Sequence, residues 1–527
     1  MSGAPDGLGR FNIELLMRNK FYIGVKRGKE YVCGDNANED AKSKAVELLS
    51  EAIKRILRWR VWETQWIEET MDEWLIARDK LELQLREKYS DDVINDLLGM
   101  VDKFIGYNEQ FLNHWHDVGD EVRRLIDNLM SGKAEAIIWE GEKGISVHGN
   151  YITLEVERTN TGGVTVQLKL SGLESVTIKA PDMFRKTMSR KEYKKFVEEV
   201  LKALRGGLEE TDGTIKDGKA GMDTTQMWQV VVWALLYFGR MYVRISSINV
   251  NGNNVTITWH LRSSHDPLKG KILNNADKLS EEGLLALMFT AILGDGSADI
   301  AKVVINGRVY DEAVIGIAMS DEEFKRWEPL FERLKNMGFR SGKPNLINSN
   351  VVVVPFYGSN AIDLARAMIN VLPPILRDVL DALGFEKWVN MRRIAEIELK
   401  WRRGESQVIV AGYKFTVHVR EGDVRLVHWA RDEVEKDEVI DALKARYGDG
   451  FTVNVHKSGE HLDVVIPMYV FEKYDDIRRQ VIEMLCRKLE KTKDEKKRQI
   501  IIKHLRRLAS TEGAAAVASQ VVKHVKY

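Results

Sequence analysis

The sequence predicts a multi-domain α+β protein, and three observations carry that prediction. From Asn38 to Met130 apolar residues recur at spacings of three and four with no proline, the period of packed helices. From Ser280 to Ile317 an almost wholly apolar helix stops at Gly294-Asp295-Gly296 and gives way to two strands around an Asn306-Gly307 turn. Beyond residue 390 the pattern becomes β-β-α-β-β-α. These stretches divide the chain into a helical hairpin or bundle (1–133), a strand-rich α+β region (134–270), a central α-β-β-α-β-α domain (271–390), and a C-terminal α+β unit of ferredoxin-like or related type with a basic helix (391–527).

Taken in order, Phe11 to Cys33 alternates apolar and polar residues and predicts a small hairpin. The helical region follows, with breaks expected near Tyr89-Ser90-Asp91 and Gly106-Tyr107. Within it arginine interleaves with Trp59, Trp62 and Trp66. That pattern fits either stacking and phosphate contacts to nucleic acid or one buried helix face. Ala134 to Ile178 is strand-rich, and Arg190 to Leu204 reads as a basic amphipathic helix. Gly206 to Asp223, rich in glycine and charge, reads as a linker or mobile loop. Thr224 to Tyr237 predicts a buried helix stopped at Gly239, followed by a hairpin around Asn251-Gly252. This layout repeats that of 284–317, with Gly239-Arg240 where Gly294-Asp295 stands. It is read as either a diverged second copy that lost its acid or an unrelated helix-hairpin unit.

The central helix begins at the N-cap Ser280 with Glu281 and Glu282 in its first turn, where carboxylates suit the positive end of the helix dipole. With no polar face it must be buried all round, so Asp295 is delivered at its end. A carboxylate there, paired with a second, can hold a hard divalent cation. A helix from Asp321 to Met337, a strand from Val351 to Tyr357 and helices on either side of Pro373-Pro374 complete the domain.

The segment Met288–Ser297, MFTAILGDGS, is similar to the signature of LAGLIDADG homing endonucleases, and the element order from Leu284 to about Leu383 matches one copy of that domain. The same helix-GDGS pattern occurs in the archaeal PaRep-type repeat proteins. The resemblance implies a motif helix packed on a sister helix through Gly294 and Gly296, a curved sheet seated on double-stranded DNA, and Asp295 as the acid that binds Mg²⁺ for cleavage. It further implies phosphate contacts from Lys302, Arg308, Arg392, Arg393, Lys400, Arg402 and Arg403. Arg326 falls near the family's basic active-site position. The family's lysine after the last-helix proline is absent in register, and Arg377 is the nearest basic residue. Leu293 occupies the place of the first acid. One acid cannot build a two-acid site, so the resemblance calls for a homodimer through the motif helix, or for a partner acid within a pseudo-dimeric chain. The competing readings are a catalytically inactive DNA-binding regulator and a non-enzymatic assembly protein of an archaeal mobile element.

Composition bounds these readings. Lys+Arg and Asp+Glu both number 79, so no whole-protein field draws the chain to nucleic acid and only a local site can. With 30% charged residues and nine prolines the surface is dense in ion pairs and suits a thermophile. Two cysteines exclude a disulfide scaffold and a cysteine-rich zinc site. The N-terminus has no apolar signal region, and the apolar run from Trp228 to Phe238 falls short of the roughly 18 residues of a membrane span. A cytoplasmic, membrane-free protein is expected. His114 and His116, His260 and His265, and His456 and His461 lie at no metal-ligand spacing with cysteine or acid, and surface positions are expected for them. Neither a Gly-Lys-Ser/Thr phosphate loop nor a Gly-x-Ser-x-Gly elbow is present. The C-terminal run KTKDEKKRQIIIKHLRRL predicts a basic helix, suited to phosphates or to plain solvent exposure.

Overall fold

The structure, a computed structural model, describes residues 13–27, 30–159, 162–305, 308–347, 350–398, 406–458 and 461–509. The chain divides into two compact units, Met1–Ile397 and Glu398–Tyr527. Among the described residues no helix is long and apolar enough to cross a membrane.

The first unit opens with a hairpin of Lys20–Arg27 and Glu30–Asn36, then three helices: α1 (Glu39–Trp59), α2 (Gln65–Leu85) and α3 (Asp91–Met130). Asn38 caps α1 by accepting from the Ala41 N–H, and α1 ends where Arg60 turns left-handed at φ 44°. That turn separates the tryptophans that the sequence had placed on one helix face. Trp59 closes α1, while Trp66 opens α2, buried, with its indole N–H donating to the Val61 carbonyl at 2.9 Å. The expected break at Ser90 is present, but α3 runs through Gly106-Tyr107 without interruption. Trp74 of α2 and Phe104 of α3 pack on Trp259, at ring distances of 5.5 and 5.9 Å, and so tie the helices to the sheet.

That sheet has eleven strands. The hairpin and the strands between Glu135 and Ala180 extend one side of it, among them β1 (Val164–Leu170). The other side is a unit the sequence reading misplaced. Gly206 to Asp223 is no linker. A continuous helical run begins at the Ser189 capping box, passes through a π-helical turn at Phe196–Leu201, and ends as α4 (Lys202–Thr211). After it come β2 (Gly213–Lys216), β3 (Lys219–Thr224), α5 (Met227–Leu236), β4 (Gly239–Val250) and β5 (Val255–Ser263). The second stretch has the same order: α6 (Glu281–Asp295), β6 (Gly296–Ile305), β7 (Arg308–Ser320), α7 (Asp321–Asn336), β8 (Asn345–Ile347), β9 (Val351–Tyr357), and α8 (Gly358–Asn370). The predicted Asn306-Gly307 turn lies outside the described residues.

Strand order recurs as well. The first stretch pairs β2-β3-β5-β4 and the second β6-β7-β9-β8, so in each the last strand inserts between the second and the third. Two helices, α9 (Pro374–Leu383) and α10 (Glu386–Glu396), close the unit. The chain thus holds two stretches of one topology, and the counterpart of the motif helix in the first of them is α4. The buried helix α5, aligned by sequence with the motif helix, is instead the counterpart of α7.

The second unit has a five-stranded antiparallel sheet, β10 (Gln407–Val410), β11 (Tyr413–Val419), β12 (Val424–Ala430), β13 (Asn454–Ser458) and β14 (His461–Pro467), in the order β10-β11-β12-β14-β13. Helix α11 (Glu433–Tyr447) connects β12 to β13, and α12 (Asp475–Lys491) and α13 (Glu495–Ala509) follow. Strands β11 to β14 repeat the insertion seen in the other two sheets. In this split β-α-β arrangement β14 separates the parallel pair β12 and β13. Its core is apolar, from Phe415 and Leu426 to Leu485 and Leu505.

Candidate acid-pair site

Helices α4 and α6 pack side by side, and glycine sets how closely. A Cβ on Gly207 would lie 2.2 Å from the Leu287 carbonyl oxygen and 2.3 Å from Thr290 Oγ1. A Cβ on Gly294 would lie 2.2 Å from Thr211 Oγ1. Gly207 and Thr290 hold equivalent places in the two motif helices, as do Thr211 and Gly294, so the contacts pair glycine with threonine twice about a pseudo-two-fold. Thr290 Oγ1 donates across the seam to the Leu204 carbonyl at 2.9 Å. Backbones meet this closely only where a side chain is missing. Gly296, grouped with Gly294 in the sequence reading, serves another contact. A Cβ there would meet the Gly316 and Ile292 carbonyl oxygens at 2.6 Å, so it permits the turn from α6 into its own sheet.

The seam brings two carboxylates together. Asp212 follows α4 and Asp295 ends α6, each before a glycine and a hydroxyl residue: Asp212-Gly213-Thr214 and Asp295-Gly296-Ser297. A Cβ on Gly294 would lie 2.6 Å from Asp212 Oδ2. Burial, and then the charge of Asp295, push the Asp212 carboxyl up to about 6. Asp295 is open to solvent on one side, and its carboxyl is also raised, by the desolvation of its inner side and by Glu323. Gln229 Nε2 donates to Asp212 Oδ2 at 2.9 Å and fixes that carboxylate.

Two lysines offset the pair. Lys387 of α10 donates from Nζ to the Leu293 carbonyl at 2.9 Å and to that of Gly294, the unsatisfied negative end of α6. Half-buried, its ammonium is pushed down by desolvation and drawn back up by Asp212 and Asp295. Lys269 donates to the Gly213 carbonyl at 2.7 Å and lowers both acids. Its backbone is held by Glu209, a fully buried carboxylate that accepts from the Leu268 and Lys269 N–H groups at 2.7 and 3.1 Å.

From Asp212 a cavity of about 610 Å³ opens past Lys387 and Gln229 to Gln167, Asn249 and Thr258. These last three sit on the face of the first sheet turned away from the motif helices. Strand register puts Lys216, Lys219, Arg240, Tyr242, Arg244, His260 and Arg262 on the same face, with Asp223 among them. Arg240 and Arg262 stack on Tyr242 at 5.1 and 4.7 Å. Arg244 is exposed and has no acid partner among the described residues. The corresponding face of the second sheet carries Val303, Tyr310, Val314, Val351, Val353 and Tyr357, with Asp299 and Glu312, and no cation among the described side chains.

The basic residues expected to contact phosphate fall elsewhere. Lys302 pairs in register with Asp311 and points to the helix side of its sheet. Arg392 and Arg393 lie in α10, where Arg392 pairs with Asp381 at 3.4 Å and stacks on Trp388. Arg326 meets the buried Glu210 carboxylate at 3.3 Å, and Arg377 lies beside Tyr89. The side chain of Arg308, and Lys400, Arg402 and Arg403, lie outside the described residues. Sequence reasoning missed Asp212, Gln229, Lys269 and Lys387. The Asp-Gly-Thr echo of Asp-Gly-Ser was the signal for the first.

No protein-family model and no curated protein matches this chain. Solved structures similar to parts of it include the LAGLIDADG homing endonuclease I-GzeII in complex with its DNA target, at 11% identity and a TM-score of 0.12, covering 42% of this chain and 95% of that one. Full-length DUF199/WhiA from Thermatoga maritima is 12% identical with a TM-score of 0.20, covering 62% and 91%. The I-LtrWI LAGLIDADG homing endonuclease bound to target DNA is 11% identical with a TM-score of 0.12, covering 42% and 95%.

Proposed function

We propose that this chain binds double-stranded DNA along the outer face of its first-repeat sheet, and that Asp212 and Asp295 together hold Mg²⁺ for phosphodiester hydrolysis. The observation that carries the reading is two carboxylates set near each other at the ends of equivalent helices, with Asp212 lining a cavity that reaches a strand face bearing arginine and lysine. Arginine and lysine on a strand face serve phosphates, while Gln167, Asn249 and Thr258 offer donors and acceptors to base or sugar edges. The acids fit a hard cation. Both carboxyls sit above their ordinary range, first because burial opposes their ionisation and then because a neighbouring carboxylate does, Asp295 for Asp212 and Glu323 for Asp295, and a bound cation would relieve both costs. Mg²⁺ takes one or two carboxylates and leaves its other positions to water and phosphate. Among the described residues no group of three or more His, Cys, Asp or Glu assembles, so water and phosphate would fill the remaining positions. Bound there, the ion would polarise the phosphate and stabilise the charge that develops on its oxygens. Gln229 orients the Asp212 carboxylate, and Lys387 and Lys269 add positive charge beside the scissile position.

Duplex retention measured from low to high salt tests the binding. The expected result is a steep loss of affinity with salt, and salt-independent binding or none at all contradicts it. Nicking of supercoiled DNA tests the chemistry. Nicking that requires Mg²⁺ and disappears in both Asp212→Asn and Asp295→Asn is expected, whereas salt-sensitive binding without nicking leaves a DNA-binding regulator.

A further inference from the structure

A second cavity, of about 440 Å³, lies behind the wall formed by Trp228 and Phe385, whose rings stack at 4.1 Å and also line the first cavity. Five indoles contribute to its lining. Trp59, Trp66, Trp74 and Trp259 join Trp228 around it, brought from α1, α2, α5 and β5. Two carboxylates from α2, Glu69 and Glu73, complete it one helical turn apart. Neither has a cationic partner among the described residues. Glu69 accepts only from Gln65 Nε2 at 3.0 Å, in a protein whose other surface acids are widely ion-paired. Trp59 Nε1 and Thr256 Oγ1, both on the lining, are buried and have no hydrogen-bond partner among the described residues.

Elementary chemistry narrows the occupant. Carboxylates at the mouth repel phosphate and other anions, so this cavity is not an extension of the DNA-binding face. An uncharged apolar ligand would leave both acids uncompensated. Aromatic π faces attract a cation, most strongly indole, and the attraction grows when the cation is shielded from water. We propose that this cavity binds a small organic cation, a quaternary or aliphatic ammonium, with tryptophan faces around its alkyl groups and Glu69 and Glu73 neutralising its charge. Desolvation of its cavity side and the charge of Glu69 raise the Glu73 carboxyl, which a bound cation would bring back down. The site stands independently of the acid pair and of any nuclease activity.

The test is titration of the full chain with choline and with spermidine, read by intrinsic tryptophan fluorescence, against 3,3-dimethyl-1-butanol as the neutral isostere of choline. A saturable response to either cation is expected, with the isostere roughly tenfold weaker or more. Saturation by choline alone assigns a quaternary ammonium, and by spermidine alone an aliphatic polyamine. Glu73→Gln and Trp59→Phe should each weaken binding several-fold while leaving the thermal unfolding transition in place, since Glu73 is exposed and Phe keeps the packing at Trp59. Three results would overturn the proposal: no saturation by either cation up to about 10 mM, an isostere that binds as well as choline, or full binding in the Glu69→Gln/Glu73→Gln double variant.

Discussion

In the first repeat the strand face turned from the motif helices presents Arg240, Arg244, Arg262, Lys216 and Lys219. In the second, built on the same strand order, that face presents Tyr310, Tyr357, Val351 and Val353. The helix sides differ the other way. Helix α6 is apolar from Leu284 to Leu293, while α4 carries Glu209 and Glu210 into the core. Both helices nonetheless keep one glycine and one threonine at the seam and an aspartate after the last turn. Packing that brings backbones into contact tolerates almost no variation, because an added Cβ there has nowhere to go. A strand face in solvent is free to diverge. One repeat therefore presents arginine and lysine on that face, and the other presents no cation there among the described side chains.

The largest effect should come from the seam. Gly207→Val drives a branched side chain into the Leu287 backbone and should cost at least about 3 kcal/mol or prevent folding. Gly294→Ala, which meets the movable Thr211 and Asp212 side chains, should cost less, by about 1–2 kcal/mol. Thermal unfolding of the two variants checks the order, and equal losses would break the picture of a seam set by backbone contact.

Surface substitutions should split by repeat. Arg244→Ala and Arg262→Ala should each weaken duplex binding and reduce its salt slope by about one. Tyr310→Ala and Tyr357→Ala should leave both unchanged, and a loss of equal size in the second repeat would erase the contrast.

The pH dependence should show in the acid pair. The folded chain holds the Asp212 proton up to about pH 6, against an ordinary value of 3.8, so the stability this group confers at low pH is lost as pH rises through about 6. Asp212→Asn should then be more stable than the parent above pH 7, by an amount of order 1 kcal/mol, and the two should converge below about pH 4. Lys387→Met should act oppositely, moving the Asp212 transition to higher pH, because the ammonium that favours the ionised acids is gone. Denaturant midpoints collected across pH 4 to 8 follow both effects.

Much of the α+β layout was legible, because long periodic segments and turn residues report local structure directly. Helix α6 declares itself through Ser280 and its apolar run. Its sister was hidden for a physical reason: Glu209 and Glu210 look solvated in sequence, yet both are buried, satisfied by Tyr237, the 268–270 backbone and Arg326. Apolarity thus pointed to α5, which is buried for the ordinary reason that it covers a sheet. Lys387 could not be found by register, since it reaches the acids from α10 by folding rather than by spacing. The cationic face was equally hidden, because its residues come from four strands scattered between Gly213 and Ser263.

The most direct test is a count of bound ions. Mn²⁺ titrated calorimetrically into the parent chain should occupy a site that is lost in Asp212→Asn and lost again, independently, in Asp295→Asn, because neither acid holds a divalent ion alone. Retention of that site in either single variant would show that the two motif helices do not deliver their carboxylates to one ion.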